Sequence, residues 1–522
     1  MTYSTKLVLS LALCAAPAGA QLAGTQAPTE EHPMLHVQEC TTKGGCATVS
    51  RGVVLDANWR WADESGTNCY DGNAWTSLCD GQPNCTATCA IEGGNYEGTY
   101  GIKTEGHNLT LGYVTRGTYG NNVGSRTYLM AEDDTNYEMF HLNNREFTFD
   151  VDVSTLPCGV NAALYFVEMS EDGDLGKGNN QAGAAFGTGY CDAQCPHDVK
   201  YINGEANSLD WVETTATSGK GKYGSCCIEL DIWEGNTVSN AFTPHPCDTE
   251  GLLKCDGVEC GDNDAGERYQ GTCDKDGCDY APFRMGAQSF YGSSSDFTID
   301  SSRPFTVVTQ FVTDDGTDDG VLKYMTRKYV QDGKVVENPA VDVGGTSYDA
   351  VSDEFCAAQK TLFGDENAFD AKGGMATMGK ANDRGLVLVM SLWDDWEVNM
   401  LWLDSTYPTD ADKSTPGVFR GTCPTDSGVP ATLEANYPTS YVKYYNIRSG
   451  ELDSTYGDDF AVDDKAVDDA APATDDGAAP TCVDDYAQCG GTSWDGIVYG
   501  PFDCCSGATC THSSSSYWQC TP

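Results

Sequence analysis

Between residues 146 and 154 the chain reads EFTFDVDVS, and its alternation is strict. Phe147, Phe149, Val151 and Val153 fall on one side, and Thr148, Asp150 and Asp152 on the other. A period of two is that of a half-buried β-strand. Comparable runs recur as NLTLGYVT from 108, AALYFVEM from 162, PFTVVTQFVT from 304, GLVLVMSLW from 385 and SYVKYYNIR from 440. VLKYMTRKYVQDGKVVENP places Asp332-Gly333 between two strand-like arms, the pair that a two-residue hairpin turn favours. No long amphipathic helical period and no short repeat interrupts these strands. The pattern predicts an all-β domain of two antiparallel sheets packed face to face, with long loops on the rims. An open antiparallel sheet keeps one face free, and a groove can form there.

One stretch breaks the pattern. CCIELDIWEGN, residues 226–236, sets Glu229, Asp231 and Glu234 in an otherwise apolar strand. Carboxylates are poor strand formers and are rarely buried without compensation. Glu229 and Asp231 share a face by alternation, whereas Glu234 falls on the opposite one. A β-bulge of one residue between Asp231 and Glu234 restores the parity, and bulges are over-represented beside active sites. Three acids facing one groove suit retaining glycoside hydrolysis, which uses one carboxylate as nucleophile and one as proton donor. Repulsion between close carboxylates raises one pKa, so that an ionised and a protonated acid coexist. On the spacing alone, a solvated acidic strand in an acid-rich chain is an equally good reading.

Composition divides the chain. Residues 1–20, MTYSTKLVLSLALCAAPAGA, have a basic Lys6, a short apolar run and an AGA ending, as a cleaved secretory signal does. No later run is long and apolar enough to predict a membrane span. Residues 21–450 form the large domain. Residues 451–480, rich in Asp, Ala and Pro, read as an extended acidic linker. Residues 481–522 hold six cysteines, the composition of a small cystine-stapled module. Of 25 cysteines, Cys14 lies in the signal, leaving 24, an even number in an oxidising compartment. Disulfides are therefore favoured over a metal site, even where Cys191, Cys195, Cys226 and Cys227 cluster with His197. Asn84 and Asn108 head Asn-X-Thr glycan acceptors. The 78 acidic and 30 basic residues give −48, or −49 without Lys6. That charge argues against nucleic acid and anionic membrane as partners and is consistent with a neutral substrate.

GSCCIELDIWEGN, followed by SNAFTPHPC from 239, resembles the catalytic strand of glycoside hydrolase family 7, the fungal-type cellobiohydrolases and endoglucanases. The likeness extends over residues 21–450 through VVLDANWRWADESGTNCYDGNAW, GTGYCDAQCPHD, RYQGTCDKDGCDYAPFRMG and VLVMSLWDDWEVNMLWLDSTYP. It implies a concanavalin-like β-jelly-roll sandwich and a monomer acting on cellulose and cello-oligosaccharides without metal or organic cofactor, with cellobiose as product and inhibitor. The carried-over roles are nucleophile for Glu229, acid/base for Glu234, and support of the nucleophile for Asp231, with His245 near the reacting sugar. Stacking platforms map to Trp61, Trp393 and Trp402; Trp59 is left as core or unassigned. Groove-lining polar positions map to Arg126, Tyr165, Tyr190, Asp192, Gln194, Arg268, Arg284 and Arg420, of which Arg268 and Arg420 are assigned to the product sugars.

The loop CGDNDAGERYQGTC, residues 260–273, has the full length of the family's tunnel-forming loop, and the stretch SLDWVETTATSGKGKYG before Cys226 nearly does. They imply a reducing-end cellobiohydrolase. An endo-β-1,4-glucanase, or a catalytically silent glucan-binding protein of lectin type, is the alternative. Asp264 and Trp396-Glu397 stand where tunnel enzymes often place facing tyrosines, so a more easily opened roof is expected. At the C-terminus, DYAQCGGTSWDG, SGATC and SYWQC resemble a fungal-type family 1 carbohydrate-binding module. Tyr486, Tyr517 and Trp518 would form its cellulose-binding face.

Overall fold

The computed structural model describes residues 30–79, 85, 88–117, 120–215, 217–262 and 267–457. It gives backbone alone at Asn179, Leu22–Ala23 and four strands within 488–521. The signal, most of the linker, Asp264 and Tyr486 lie outside the described residues.

Thirteen strands carry the large domain: β1 (Met34–Thr41), β2 (Gly45–Leu55), β3 (Asn108–Gly112), β4 (Ser125–Leu129), β5 (Arg145–Asp152), β6 (Val160–Val167), β7 (Glu229–Gly235), β8 (Asn240–His245), β9 (Phe305–Thr313), β10 (Leu322–Gln331), β11 (Lys334–Glu337), β12 (Leu386–Asp394) and β13 (Tyr441–Glu451). Their order is β8-β7-β6-β12-β4-β2-β1-β13-β5-β9-β10-β11, with β3 beside β13. The long β2 makes the corner: Val53–Leu55 pair with β4 while Gly45–Gly52 pair with β1. The two halves face each other across one core, where Phe147 of β5 meets Phe166 of β6 at 5.0 Å and Phe149 meets Trp233 at 6.4 Å. Alternation identified these inward positions, because Phe147, Phe149, Val151 and Val153 are all fully buried. The hairpin turn also forms, with Asp332 at φ 53° and Gly333 at φ 73° between β10 and β11. Both positive angles suit the right-handed twist of a hairpin.

Three findings differ from the sequence pattern. Thr148, on the polar side of EFTFDVDVS, is fully buried because residues 451–457 cover it: its hydroxyl meets that of Thr455 at 2.5 Å. Asp453, Ser454 and Thr455 donate their backbone N–H groups to the buried Glu146 carboxylate. The large domain thus extends beyond 450, and the segment read as linker starts later than 451. Two helices of eleven residues, α1 (Asp353–Phe363) and α2 (Gly374–Arg384), also flank the sheets. Ser352 caps α1 by accepting from the Phe355 N–H, with Asp353 and Glu354 in the first turn.

Among the described residues, nine disulfides tie the loops. Cys191–Cys227 and Cys195–Cys226 fasten the 191–195 loop to the start of the acidic strand, and Cys158–Cys423 closes 265 residues. No helix among the described residues is long and apolar enough to cross a membrane. A second compact unit, Asp463–Pro522, contains a four-stranded sheet in which Tyr517–Thr521 pairs with both Gln488–Thr492 and Thr509–Ser514.

Candidate active site

The bulge inferred from the spacing is present. Along β6, Leu164 pairs with Trp233 and Tyr165 with Asp231, so Ile232 is skipped. Along β8, Asp231 pairs with Thr243 and Glu234 with Ala241. Ile232 and Trp233 both turn into the core, each fully buried. Glu229, Asp231 and Glu234 consequently share the other face, lying beside Tyr165, Ala163 and His245.

The three carboxyls are buried and coupled. Burial, followed by the charges of Asp231 and Asp192, pushes Glu229 well above the usual carboxylate range. Burial and Glu234 do the same to Asp231. The Ala193 N–H donates to Glu229 Oε2 at 3.0 Å, which favours the ionised form of that carboxyl, while the hydrogen bond between Glu229 and Asp231 lowers Asp231. Burial raises Glu234 to about 7, against the pull of His245 and of Asn161, whose Nδ2 donates to Glu234 Oε1 at 3.0 Å. His245 Nδ1 donates to the Asp274 carbonyl at 2.8 Å, which fixes the ring, and its Nε2 stands 3.1 Å from Asp231 Oδ2. An ionisable acid held protonated near neutrality beside a hydrogen-bonded carboxylate is equipped for proton donation and nucleophilic attack.

The groove-lining residues fall into two groups. Tyr165 and Tyr190 hydroxyls meet at 2.8 Å, and Tyr190 donates to Asp192 Oδ2 at 2.7 Å. The Arg126 guanidinium lies over the Tyr190 ring at 3.2 Å and over Trp59 at 5.1 Å, and its Nε donates to Asp56 at 3.1 Å. Gln194 donates to the Lys275 carbonyl at 2.8 Å, while its backbone N–H caps Asp192. In the second group Arg268 pairs with Asp276, and Arg284 with Asp279. Arg420 donates to the Trp402 carbonyl at 3.4 Å and leaves Nε buried without an acceptor. Burial and the nearby Arg284 pull its pKa down to about 10. The Trp393 and Trp402 rings stack at 6.5 Å, tilted by 29°, as one apolar platform. Trp61 is exposed on the surface.

Trp59, half-buried, packs against the core and carries the Arg126 cation on its face. Two residues escaped the sequence reading. Asn161 and Ala193 touch the acids through an amide and a backbone N–H, which no motif marks. Glu397 also departs from expectation. It is ion-paired with Lys220, which joins the loop after β12 to the loop before the acidic strand. Tyr517 and Trp518 lie on the strand Tyr517–Thr521, whose side chains are outside the described set.

The model of glycosyl hydrolase family 7 matches residues 23–456. The chain belongs to that family. A crystal structure of a family 7 cellobiohydrolase from Daphnia pulex is 53% identical, covers 83% of this chain and 100% of its own, and superposes with a TM-score of 0.82. The Melanocarpus albomyces cellobiohydrolase complexed with cellotetraose is 46% identical over 83% and 99%, with a TM-score of 0.78. The Humicola insolens endocellulase EGI is 36% identical over 82% and 98%, with a TM-score of 0.69. This family 7 protein is therefore a glycoside hydrolase of the cellulase type with a β-jelly-roll fold.

Proposed function

We propose that the chain is a secreted, retaining cellobiohydrolase that cleaves β-1,4-glucosidic bonds of cellulose processively from reducing ends and releases cellobiose. The observation that carries the mechanism is the bulge, which turns Glu229, Asp231 and Glu234 to one face and gives them unequal surroundings. Glu229 Oε attacks the anomeric carbon while Glu234 delivers its proton to the departing glycosidic oxygen. The covalent glycosyl-enzyme then reacts with water, whose proton Glu234 takes back as general base. Asp231, bonded to Glu229 and facing His245, holds the nucleophile in place. Arg126, Tyr165, Tyr190, Asp192 and Gln194 line the substrate side, with Trp61 at the entrance. Arg268, Arg284 and Arg420 with Trp402 receive the product sugars, and Trp393 stacks beside the acids.

Exo action is supported by the greater identity to the Daphnia pulex and Melanocarpus albomyces cellobiohydrolases than to the endocellulase. The Lys220–Glu397 link between groove loops supports it further. The 481–522 unit, by its resemblance to family 1 modules, is assigned to cellulose binding through Tyr486, Tyr517 and Trp518, and raises the local enzyme concentration at the solid. Two measurements test the reading. Glu229→Gln should abolish hydrolysis while cellulose binding persists; undiminished hydrolysis would remove the catalytic assignment. On amorphous cellulose, cellobiose should dominate and soluble reducing ends should exceed insoluble ones. A profile like that of an open-groove endoglucanase would replace exo by endo action.

A further inference from the structure

Behind the acidic strand lies a cation that the reaction does not use. Arg327 sits on β10 of the opposite sheet, facing inward between Met325 and Tyr329, and is fully buried. Among the described residues no carboxylate reaches ion-pair distance of it, and its Nε and Nη1 lie buried without an acceptor. Its guanidinium is wrapped by aromatic faces instead, 4.1 Å from Phe242 and 5.9 Å from both Trp233 and Tyr329. A cation without a counter-ion in a core is costly, and cation–π contacts offset only part of that cost.

The third nitrogen explains its presence. Nη2 donates to the backbone carbonyl of Ile232. Ile232 is the bulged residue, the one position of β7 between Asp231 and Glu234 with no partner in either neighbouring ladder. A buried carbonyl outside the ladder needs a donor, and Arg327 reaches across the sandwich to supply it. Without that donor the bulge loses part of its advantage over a regular ladder. A regular ladder shifts the following residues by one, and a one-residue slip turns every later side chain to the opposite face.

We propose that Arg327 is a positioning residue for Glu234: by capping the Ile232 carbonyl from the facing sheet, it holds the bulge that aims this carboxyl into the groove with Glu229 and Asp231. The inference rests on Glu234 being the proton donor. It predicts a defect confined to steps that need that proton, which a loss of general stability would not produce.

The test compares kcat/KM on two substrates. Dinitrophenyl β-cellobioside releases a phenolate that needs no proton, whereas cellotetraose releases a sugar that does. Arg327→Met should lose about tenfold on cellotetraose relative to the dinitrophenyl substrate. Arg327→Lys, which keeps a charge and a donor, should lose less, and it carries the test alone if the methionine variant does not fold. Equal losses on both substrates, or no loss on either, would overturn the proposal. Glu234→Gln is measured alongside. If it shows the leaving-group dependence and the Arg327 variants do not, the pin fails and the proton-donor assignment stands. If Glu234→Gln shows none, the assignment fails and the pin falls with it.

Discussion

Asp404 offers a quantitative check on how the fold holds the site. It ends the short helix α3 (Leu401–Asp404) that carries Trp402, and its side chain is fully buried. Oδ2 accepts from the Gly159 N–H and from Asn236 Nδ2, each at 2.8 Å, while Oδ1 has no partner. Asn236 follows Glu234 by two residues, so this carboxyl ties the acid strand to the tryptophan platform. Burial lifts its pKa from 3.8 to about 6. A folded value above the unfolded one means stability that is fully present below about pH 4 and lost as pH rises through 6. The gap corresponds to about 3 kcal/mol at alkaline pH. Asp404→Asn keeps an acceptor for both donors and cannot ionise. It should match the parent near pH 4 and exceed it at pH 8 by about 3 kcal/mol, which is about 3 °C in Tm for a domain of this size. Thermal unfolding of both proteins across that range is the assay, and the difference between them cancels the other titrations. A Tm difference that does not grow with pH, or that shrinks, would refute the reasoning.

Because Glu234 must be protonated to act and is raised to about 7, kcat/KM on cellotetraose should fall about tenfold per unit above that pH; a profile flat to pH 9 would exclude Glu234 as the donor. The exposed Lys220–Glu397 pair should weaken on screening, so both about 1 M NaCl and Lys220→Ala should lower the ratio of soluble to insoluble reducing ends, with the variant insensitive to further salt. Arg420→Ala should raise the inhibition constant for cellobiose about tenfold, as loss of a charged hydrogen bond to the product does; unchanged inhibition would move the product contact elsewhere.

Local patterning by itself determined the strands, the Asp332-Gly333 hairpin and the parity argument that demanded a bulge between Asp231 and Glu234. Each of these depends on which side of the backbone a residue faces, and a period of two records that directly. What lies on the far side is not in the period. Thr148 belongs to a polar face that turned out buried because residues 451–457 fold back over it. The pairing of Cys158 with Cys423, across 265 residues, depends on two loops meeting in space. Glu397 pointed to a more easily opened roof until Lys220 came beside it. Arg327, one of three cations in its strand, gave no sign that it would cross the sandwich to the Ile232 carbonyl. The sequence supplied the acids and their shared face; only the packing of one sheet on the other supplied the burial, the donors and the counter-charges that set them apart, because those depend on distance through space rather than along the chain.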